Sequence, residues 1–551
     1  MTEAHWYFNL ALVILPLLLI FKLFKHKQQK YKNLPPSPPS LPIIGHLHLL
    51  KEPVHETLDS LSQKYGPVLG LRFGVRKVLI VSSSSAVEEC FTKNDIIFAN
   101  RPRLILEKHL NYDCTTMGAA NYGHLWRTLR RITALEVFST ARLAETSNLR
   151  REEAVLLVKQ FVKSCGGEGS STVDLKASFG ELAINMVSMM IMGKRYYGED
   201  VADPKIAVHF QGLMREFLQL LKISNIGDYL PIFRWMDFGG LEKSMIALMK
   251  RMDKFLQDTV DEQRQKLRDN TATNGSREPQ RLTMIDTLLA LQETEPEFYT
   301  DQIVKGLIMQ VNALTTYKGK QPQPPTWPLV TFVIQLSYLA KQVALDVAQI
   351  MLIAGTESSF TTMEWAMSLL LNHPDTMKKI RSQIDSQVGH DRVLEEEDLP
   401  KLTHLQNAIN ETLRLFPAVP LLIPHYSSED CTVGGYDVPG GTMLLVNAWT
   451  VHRDPSQWAE PEKFKPERFE GESGEGFKMV PFGAGRRRCP GVALAHKMVG
   501  LALGSLIQAF EWEKVGVEDV DMSAAVGFSL SKLKPLQAIC KPRANMIRHF
   551  L

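Results

Sequence analysis

The chain has 551 residues, 44% of them apolar and 22% charged, proportions that exclude wholesale disorder, a collagen-like fibre and a polytopic membrane protein. Lys plus Arg number 63 against 60 Asp plus Glu, a net charge of +3 that is too balanced for a protein holding nucleic acid by bulk charge, so no nucleic-acid partner is expected. The six cysteines, Cys90, Cys114, Cys165, Cys431, Cys489 and Cys540, lie far apart and form no CxxC pair, so neither a zinc site nor a disulfide scaffold is indicated and reduced thiols in a cytosolic compartment are expected.

At the amino end, Trp6 to Phe24 is a run of 19 residues broken only by Asn9, Pro16 and Lys22. As a helix it spans roughly 28 Å at ~1.5 Å per residue, close to the ~27 Å core of the endoplasmic reticulum bilayer. Lys22 stands at its end, Lys25, Lys27, Lys30 and Lys32 follow it, and before it only Glu3 is charged, which puts the tip in the lumen and the body in the cytosol. A cleaved secretory signal would have its positive charge before the apolar run and small residues after it; here the order is reversed. The expectation is a single-pass anchor over residues 1–24 in the endoplasmic reticulum membrane, with the sequon Asn274-Gly275-Ser276 left unglycosylated on the cytosolic side. Residues 25–42 form a basic, proline-rich hinge in which Pro35, Pro36, Pro38 and Pro39 bar helix and central strand, leaving a stiff extended spacer that sets the angle of the body to the membrane, or a simple linker.

Residues 43–551 read as one large, mainly α domain with a small β region. Gly66 to Val81 is β-branched and glycine-punctuated, which predicts a hairpin, and a second strand-rich stretch runs from Cys431 to Val446. Helical periodicity marks Glu152 to Phe161, Met245 to Leu267, Glu364 to Leu371 and Val492 to Phe510, and Asp269 to Pro279 reads as an exposed loop.

Near the carboxyl end stands Pro481 to Gly491, PFGAGRRRCPG. Gly483 and Gly485 allow backbone conformations barred to other residues, so the loop can aim amide N–H groups at a sulfur. Pro490 suits the first position of the following helix. Cys489 then sits at that helix's positive end beside Arg486, Arg487 and Arg488, and both effects are expected to lower the thiol pKa and favour thiolate, a ligand that pushes electron density onto a haem iron. Five specified residues within ten positions make this a strong signal rather than a chance Gly/Arg loop.

This loop closely resembles the haem-binding loop of the cytochrome P-450 monooxygenases. Glu411-Thr412-Leu413-Arg414 is similar to that family's ExxR helix, Pro466-Glu467-Arg468-Phe469 to its PERF segment, Trp126 and Arg130 to its WxxxR, and Ala354-Gly355-Thr356-Glu357-Ser358-Ser359 to its oxygen-activation segment, in the family's order. The hinge, NAWTVHRDP and PERF together look like the plant microsomal branch. YGHLWRTLRR and EWAMSLLLNHP are similar to the subgroup with the isoflavone 2′- and 3′-hydroxylases. The resemblance implies a cytochrome P-450 fold and haem b (iron protoporphyrin IX) with Cys489 as its proximal iron ligand. It also implies a buried network of Glu411, Arg414 and Arg468. Trp126, Arg130, Arg487 and His425 would donate to the haem propionates, although a lone histidine is usually structural and the HLWRTLRR helix, read alone, is a solvated basic face. Glu357 and Ser358 would be catalytic, as an acid and a hydroxyl that relay the two protons dioxygen needs. The family usually has Thr where Ser358 stands; serine keeps the hydroxyl but loses the methyl that restrains its rotamer, so looser coupling is expected.

The implied activity is insertion of one oxygen atom of O2 into a C–H bond of an apolar, aromatic, isoflavonoid- or phenylpropanoid-like small molecule. NADPH-cytochrome reductase would supply the electrons, docking on a basic face of Arg486 to Arg488, Lys497 and Arg127 or meeting only solvated charge there. Pocket segments implied by the resemblance are Leu104–Met117, His209–Leu221, Ala348–Ser359, Ala418–Ile423 and Gly527–Ser531. Two other readings stay open: a haem-thiolate isomerase or dehydratase that uses no dioxygen, against which Glu357 and Ser358 argue, and an inert haem or membrane protein.

The inert reading arises from residues 310–349, which interrupt what the family has as one distal helix running from about Asp301 into AGTES. Pro322, Pro324, Pro325 and Pro328 forbid a continuous helix there. Val311-Asn312 can be encoded GTAAAT and Gln349 CAG, strings like a splice donor and acceptor, so the stretch reads as a retained intron or misassigned exon; the alternative is a natural surface insertion. Leu336 to Gln349 is helix-compatible and could replace Asp301 to Met309 in the distal helix. The intron reading predicts that sequencing the mature transcript finds no insert; a message that carries it contradicts the reading.

Overall fold

After a short helix, Val54–Tyr65, come two strands joined by a two-residue turn. β1 (Val68–Phe73) and β2 (Arg76–Val81) pair antiparallel from Val68↔Val81 to Phe73↔Arg76, which leaves Gly74 and Val75 as the connection. Gly74 has φ +56°, and a Cβ there would run into the carbonyl oxygen of Tyr229, so both backbone conformation and space require glycine. The strand-rich stretch Cys431–Val446 becomes a small antiparallel hairpin, β5 (Cys431–Val433) with β6 (Tyr436–Val438), followed by β7 (Thr442–Val446). β7 crosses over to pair parallel with β2, and β4 (His425–Tyr426) closes that sheet in the order β1-β2-β7-β4. A second sheet, β3-β9-β8, joins β3 (Ser171–Asp174), β9 (Gln537–Pro542) and β8 (Phe510–Lys514).

This computed structural model describes residues 31–167, 169–201, 203–221, 225–237, 240–273, 283–294, 305, 355–471 and 476–549. The anchor over 1–24, residues 25–30 of the hinge, the sequon at Asn274 and the interruption at 310–349 lie outside the described residues.

Six helices frame the site: α1 (His124–Ile132), α2 (Ser147–Ser164), α3 (Leu175–Met192), α4 (Glu357–Asn372), α5 (Thr403–Leu415) and α6 (Val492–Ala509). α3 shows how the sequence sets its ends. The Asp174 side chain accepts the Ala177 N–H at 3.0 Å as N-cap, and Gly193, at φ +64°, closes the helix by donating to Met189 O. α4 packs against α3, α5 and α6 and is buried continuously from Ser359 to Leu371, so it forms the middle of the core. Trp365 on α4 stacks on Phe416 with ring centroids 3.9 Å apart and donates its indole N–H to Leu530 O at 2.6 Å, fixing the turn after residue 526 against the central helix. α3 and α6 are long and apolar enough to cross a membrane by composition, but both are mostly buried in the core.

Two expectations are corrected. Asp269 to Thr273, read as loop, are the last residues of the helix Leu241–Thr273; its long amphipathic pattern outweighs the turn-forming composition of five residues. The described part of the hinge does not stand away from the body. The Asn33 N–H donates to Asp437 Oδ2 and its carbonyl accepts the Asp437 N–H, while Pro36 O accepts from Gly70 N and Pro38 O from His46 Nε2. Proline removes donors, but each Pro carbonyl remains an acceptor, and the extended chain uses them to dock on β1 and β6.

Candidate active site

One cavity gathers most of the residues singled out in the sequence. Its lining includes Trp126 and Arg130 of α1, Ser358, Ser359 and Thr362 of α4, His425 of β4, and Arg487 and Cys489 of the PFGAGRRRCPG loop. The cavity measures about 220 Å³, far beyond the ~10–15 Å³ that one water needs, so the void is a ligand site rather than a packing defect. The upper wall is apolar: Met117, Ala418, Val419, Leu422, Ile423 and Phe528. Among the described residues none from His209 to Leu221 lines it; the helix Pro204–Leu221 that contains them packs on the helix Leu241–Thr273 instead.

The loop is built by its glycines. Gly483 and Gly485 have φ +67° and +64°, and a Cβ on Gly485 would collide with Asp95 Oδ1, the atom that accepts the Arg486 N–H at 2.9 Å. The chain folds back so that Cys489 N donates to Phe482 O at 2.9 Å. The helix begins at Val492 as its periodicity predicts, but Pro490 is not its first residue. Gly491 is the N-cap of α6, so Pro490 lies before the cap rather than at the first helical position.

Cys489 departs from the expectation of a low pKa. Its thiol is pushed up, because burial outweighs the Gly491 N–H, Arg130 and Arg488, which pull it down. The three loop arginines do not act as one group either. Arg488 faces Cys489, Arg486 pairs with Asp95 at 3.2 Å, and Arg487 turns inward to donate to Ala99 O (2.7 Å), Met117 O (3.0 Å) and Ala120 O (2.5 Å). The basic face is correspondingly smaller. Lys497 is held at 2.8 Å by Glu396, which also takes a buried fork from Arg150, so Arg127 and Arg488 are the exposed members left unspent by these pairings.

Three guanidinium groups converge on the cavity's polar side: Arg130, Arg487 and Arg101, a residue that sequence reasoning missed. Burial and the neighbouring charges of Arg101 and Arg130 push Arg487 down to about 8, and burial lowers Arg101 to about 10 despite Glu107. Arg487 lies over the Trp126 ring at 4.5 Å. His425 donates Nδ1–H to Phe98 O at 2.8 Å, and burial with Arg101 holds its pKa well below the ordinary value. The neutral ring therefore offers a lone pair at Nε2, and His425 becomes a donor to an anion only when an adjacent negative charge adds a second proton.

Glu357 is the one predicted residue set back from the lining. It opens α4, and its Oε1 accepts the hydroxyl of Ser529, on the turn that also presents Phe528, at 2.5 Å. Ser529 lies in the Gly527–Ser531 segment that the resemblance implied, but its bond to Glu357 has no local signal; Arg101 carries none at all and is brought in by contacts across more than a hundred residues of chain.

Below the cavity, Glu411 and Arg414 on α5 form a fully buried pair with two bonds of 2.7 and 2.9 Å, and Arg468 Nε adds a third at 3.0 Å. Arg414 also donates to Pro461 O at 2.7 Å and Arg468 to Ala459 O at 3.0 Å, so the charges are embedded in hydrogen bonds.

These features meet known proteins at one point. The family model for Cytochrome P450 matches residues 35–313 and 335–538, passing over 314–334. The chain is 46% identical over 538 residues to cytochrome P450 81Q32 of Catharanthus roseus, covering 98% of this chain and 96% of that protein. It is 43% identical over 545 residues to an isoflavone 3′-hydroxylase of Medicago truncatula, covering 98% and 99%. A solved zebrafish cytochrome P450 structure with abiraterone shares the fold at a TM-score of 0.66 and 24% identity, over 89% of this chain and 99% of that one. The chain belongs to the cytochrome P450 family, haem-dependent monooxygenases that bind iron protoporphyrin IX through a cysteine thiolate and work with a redox partner on a small-molecule substrate.

The cavity's residues fit that group. Three guanidiniums on one cavity, with Arg487 lowered by burial and by the charges of Arg101 and Arg130, call for anions on the polar side, as carboxylates would be, and a buried thiol of raised pKa calls for a cation to become thiolate. Glu411→Gln leaves two buried arginines short of their counter-charge, an expected cost of ~3–5 kcal/mol. The measurement is haem per polypeptide together with the melting temperature. Both should fall; full haem content at unchanged stability would contradict the role of the network.

Proposed function

We propose that this chain hydroxylates an apolar, aromatic small molecule of the isoflavonoid or phenylpropanoid kind, with Cys489 as the iron ligand and Glu357 and Ser358 as the proton relay. The observation that carries the assignment is the convergence of Cys489, the three arginines and an apolar wall on one cavity. The haem supplies reductive activation of dioxygen, so that RH, O2, NADPH and a proton give ROH, water and NADP⁺.

The chain's own residues do the rest. Arg101, Arg130 and Arg487, stacked on Trp126, orient the cofactor's carboxylates, and His425 joins them once protonated. Met117, Leu422, Ile423 and Phe528 exclude water and favour an apolar ring system. Ser358 presents a hydroxyl to the cavity, while Glu357, set back from the lining, holds its carboxyl against the Ser529 hydroxyl, so an acid and two hydroxyls stand on the cavity's distal side to supply protons. The isoflavone 3′-hydroxylase of Medicago truncatula supports the substrate class, as does the small polar share of the wall. The retained acid and hydroxyl disfavour an isomerase or dehydratase.

Membrane attachment belongs to the same proposal. Ile43, Val75 and Ile232 are 71%, 60% and 68% exposed, and their segments are tied together by Gly74 N to Ile44 O and Val75 N to Tyr229 O. This apolar patch lies beside the hinge that leads to the amino-terminal run, and both suit one bilayer surface, with residues 1–24 as a single-pass anchor in the endoplasmic reticulum and NADPH-cytochrome reductase as the electron donor. We further propose that residues 310–349 are absent from the mature enzyme; the match that passes over 314–334 supports this.

Microsomes carrying the chain without 310–349, with reductase and NADPH, should hydroxylate members of a flavonoid and isoflavonoid panel. NADPH-independent conversion, or none across the panel by a protein with a normal carbon monoxide spectrum, would contradict the proposal. In the same assay Ser358→Thr should lower hydrogen peroxide formed per NADPH; an unchanged yield counts against Ser358 in the relay.

A further inference from the structure

The buried Glu411 network and the Cys489 loop are far apart in sequence, and one residue touches both. His452 follows the short helix Ala448–Val451 and is fully buried. Its carbonyl accepts Arg414 Nη1 at 2.8 Å. Its ring Nε2 lies 2.8 Å from the backbone nitrogen of Val480, the residue before the PFGAGRRRCPG loop. An amide N–H can only donate, so Nε2 is the acceptor and the ring is neutral with its proton on Nδ1. Val480 O in turn accepts from Gly483 N at 3.0 Å, and Phe482 O accepts from Cys489 N at 2.9 Å.

We propose that His452 is a positioning residue for the thiolate, transmitting the rigidity of the Glu411–Arg414–Arg468 network to the start of the Cys489 loop through its Nε2 bond to Val480. The inference rests on Cys489 as the iron ligand. Two features separate it from a histidine that merely fills space. A hydrocarbon ring would occupy the volume without bringing a polar Nδ1 into a dry place, yet Nδ1 has no hydrogen-bond partner among the described residues. The acceptor is also constant with pH, since burial and the charges of Arg453 and Arg414 push the ring's pKa down to about 3. The loop entrance is therefore held by a lone pair that does not switch off.

The test compares His452→Leu, which keeps bulk without an acceptor, with His452→Gln, whose Oε1 can reach the place of Nε2. Gly74→Ala, remote from the loop, serves as a control that loses stability without touching it. For each holoenzyme the readouts are the conversion of the reduced carbon monoxide complex from its thiolate-type to its thiol-type Soret band, haem loss to an excess of a haem-scavenging globin, and the melting temperature. His452→Leu should convert about tenfold faster, equivalent to ~1.4 kcal/mol, with His452→Gln close to the parent and Gly74→Ala lower in melting temperature but parental in its band. Parental conversion in His452→Leu, equal acceleration in His452→Gln, or equal acceleration in Gly74→Ala overturns the inference. A parent protein with no thiolate-type band would instead overturn the assignment of Cys489 itself.

Discussion

A sulfur atom on a dry floor and three guanidinium groups on a dry rim set the terms for this protein. Neither half is electrostatically content alone. Burial raises the Cys489 thiol against the pull of the Gly491 N–H, Arg130 and Arg488, and burial together with the charges of Arg101 and Arg130 lowers Arg487 across the cavity. A flat group with a cation at its centre and anions at its edge answers both demands at once, and iron protoporphyrin IX is such a group. The fold, in this light, is a device for keeping like charges close together until the group that reconciles them arrives.

Holding that arrangement takes a stiff surround. Below the cavity the carboxylate of Glu411 gathers Arg414 and Arg468, and beside it Glu396 gathers Arg150 and Lys497; in each case one buried anion fixes two cations from different segments. Above it α4 is fixed by the Trp365 stack on Phe416 and by the indole bond to Leu530, and Ser529 on the same turn holds Glu357. Phe528 of the apolar wall and Ser529, which donates to Glu357, therefore share one turn, which couples the shape of that wall to the placement of the carboxyl.

Much of this was legible in the sequence, and the limits have physical causes. The hairpin at Gly66–Val81, the strands of Cys431–Val446 and the helices at Glu152, Met245, Glu364 and Val492 follow from periodicity, a local property. The PFGAGRRRCPG loop was legible because glycine conformations and a cysteine at a helix start are local too. What failed was whatever depended on distant neighbours. The thiol pKa went the other way because desolvation comes from the whole surround, whereas the helix end and the arginines are visible in the string. Arg486, Arg487 and Arg488 look like one basic cluster in sequence, but Asp95 takes the first and backbone carbonyls of residues 99–120 take the second. Arg101 carries no motif of its own, the bond from Ser529 to Glu357 spans distant parts of the chain, and His425 shows its tautomer only through Phe98 O. The proline-rich hinge looked like a spacer because its carbonyl acceptors are silent in a hydrophobicity pattern.

The central claim is that the sulfur of Cys489 binds the iron of a haem held in this cavity. The most direct measurement is the carbon monoxide difference spectrum of the reduced protein beside that of Cys489→Ala, with haem content determined on both. The parent protein should show a thiolate-type Soret band, and the variant should lose it completely. An unchanged band and unchanged pigment in Cys489→Ala would contradict it.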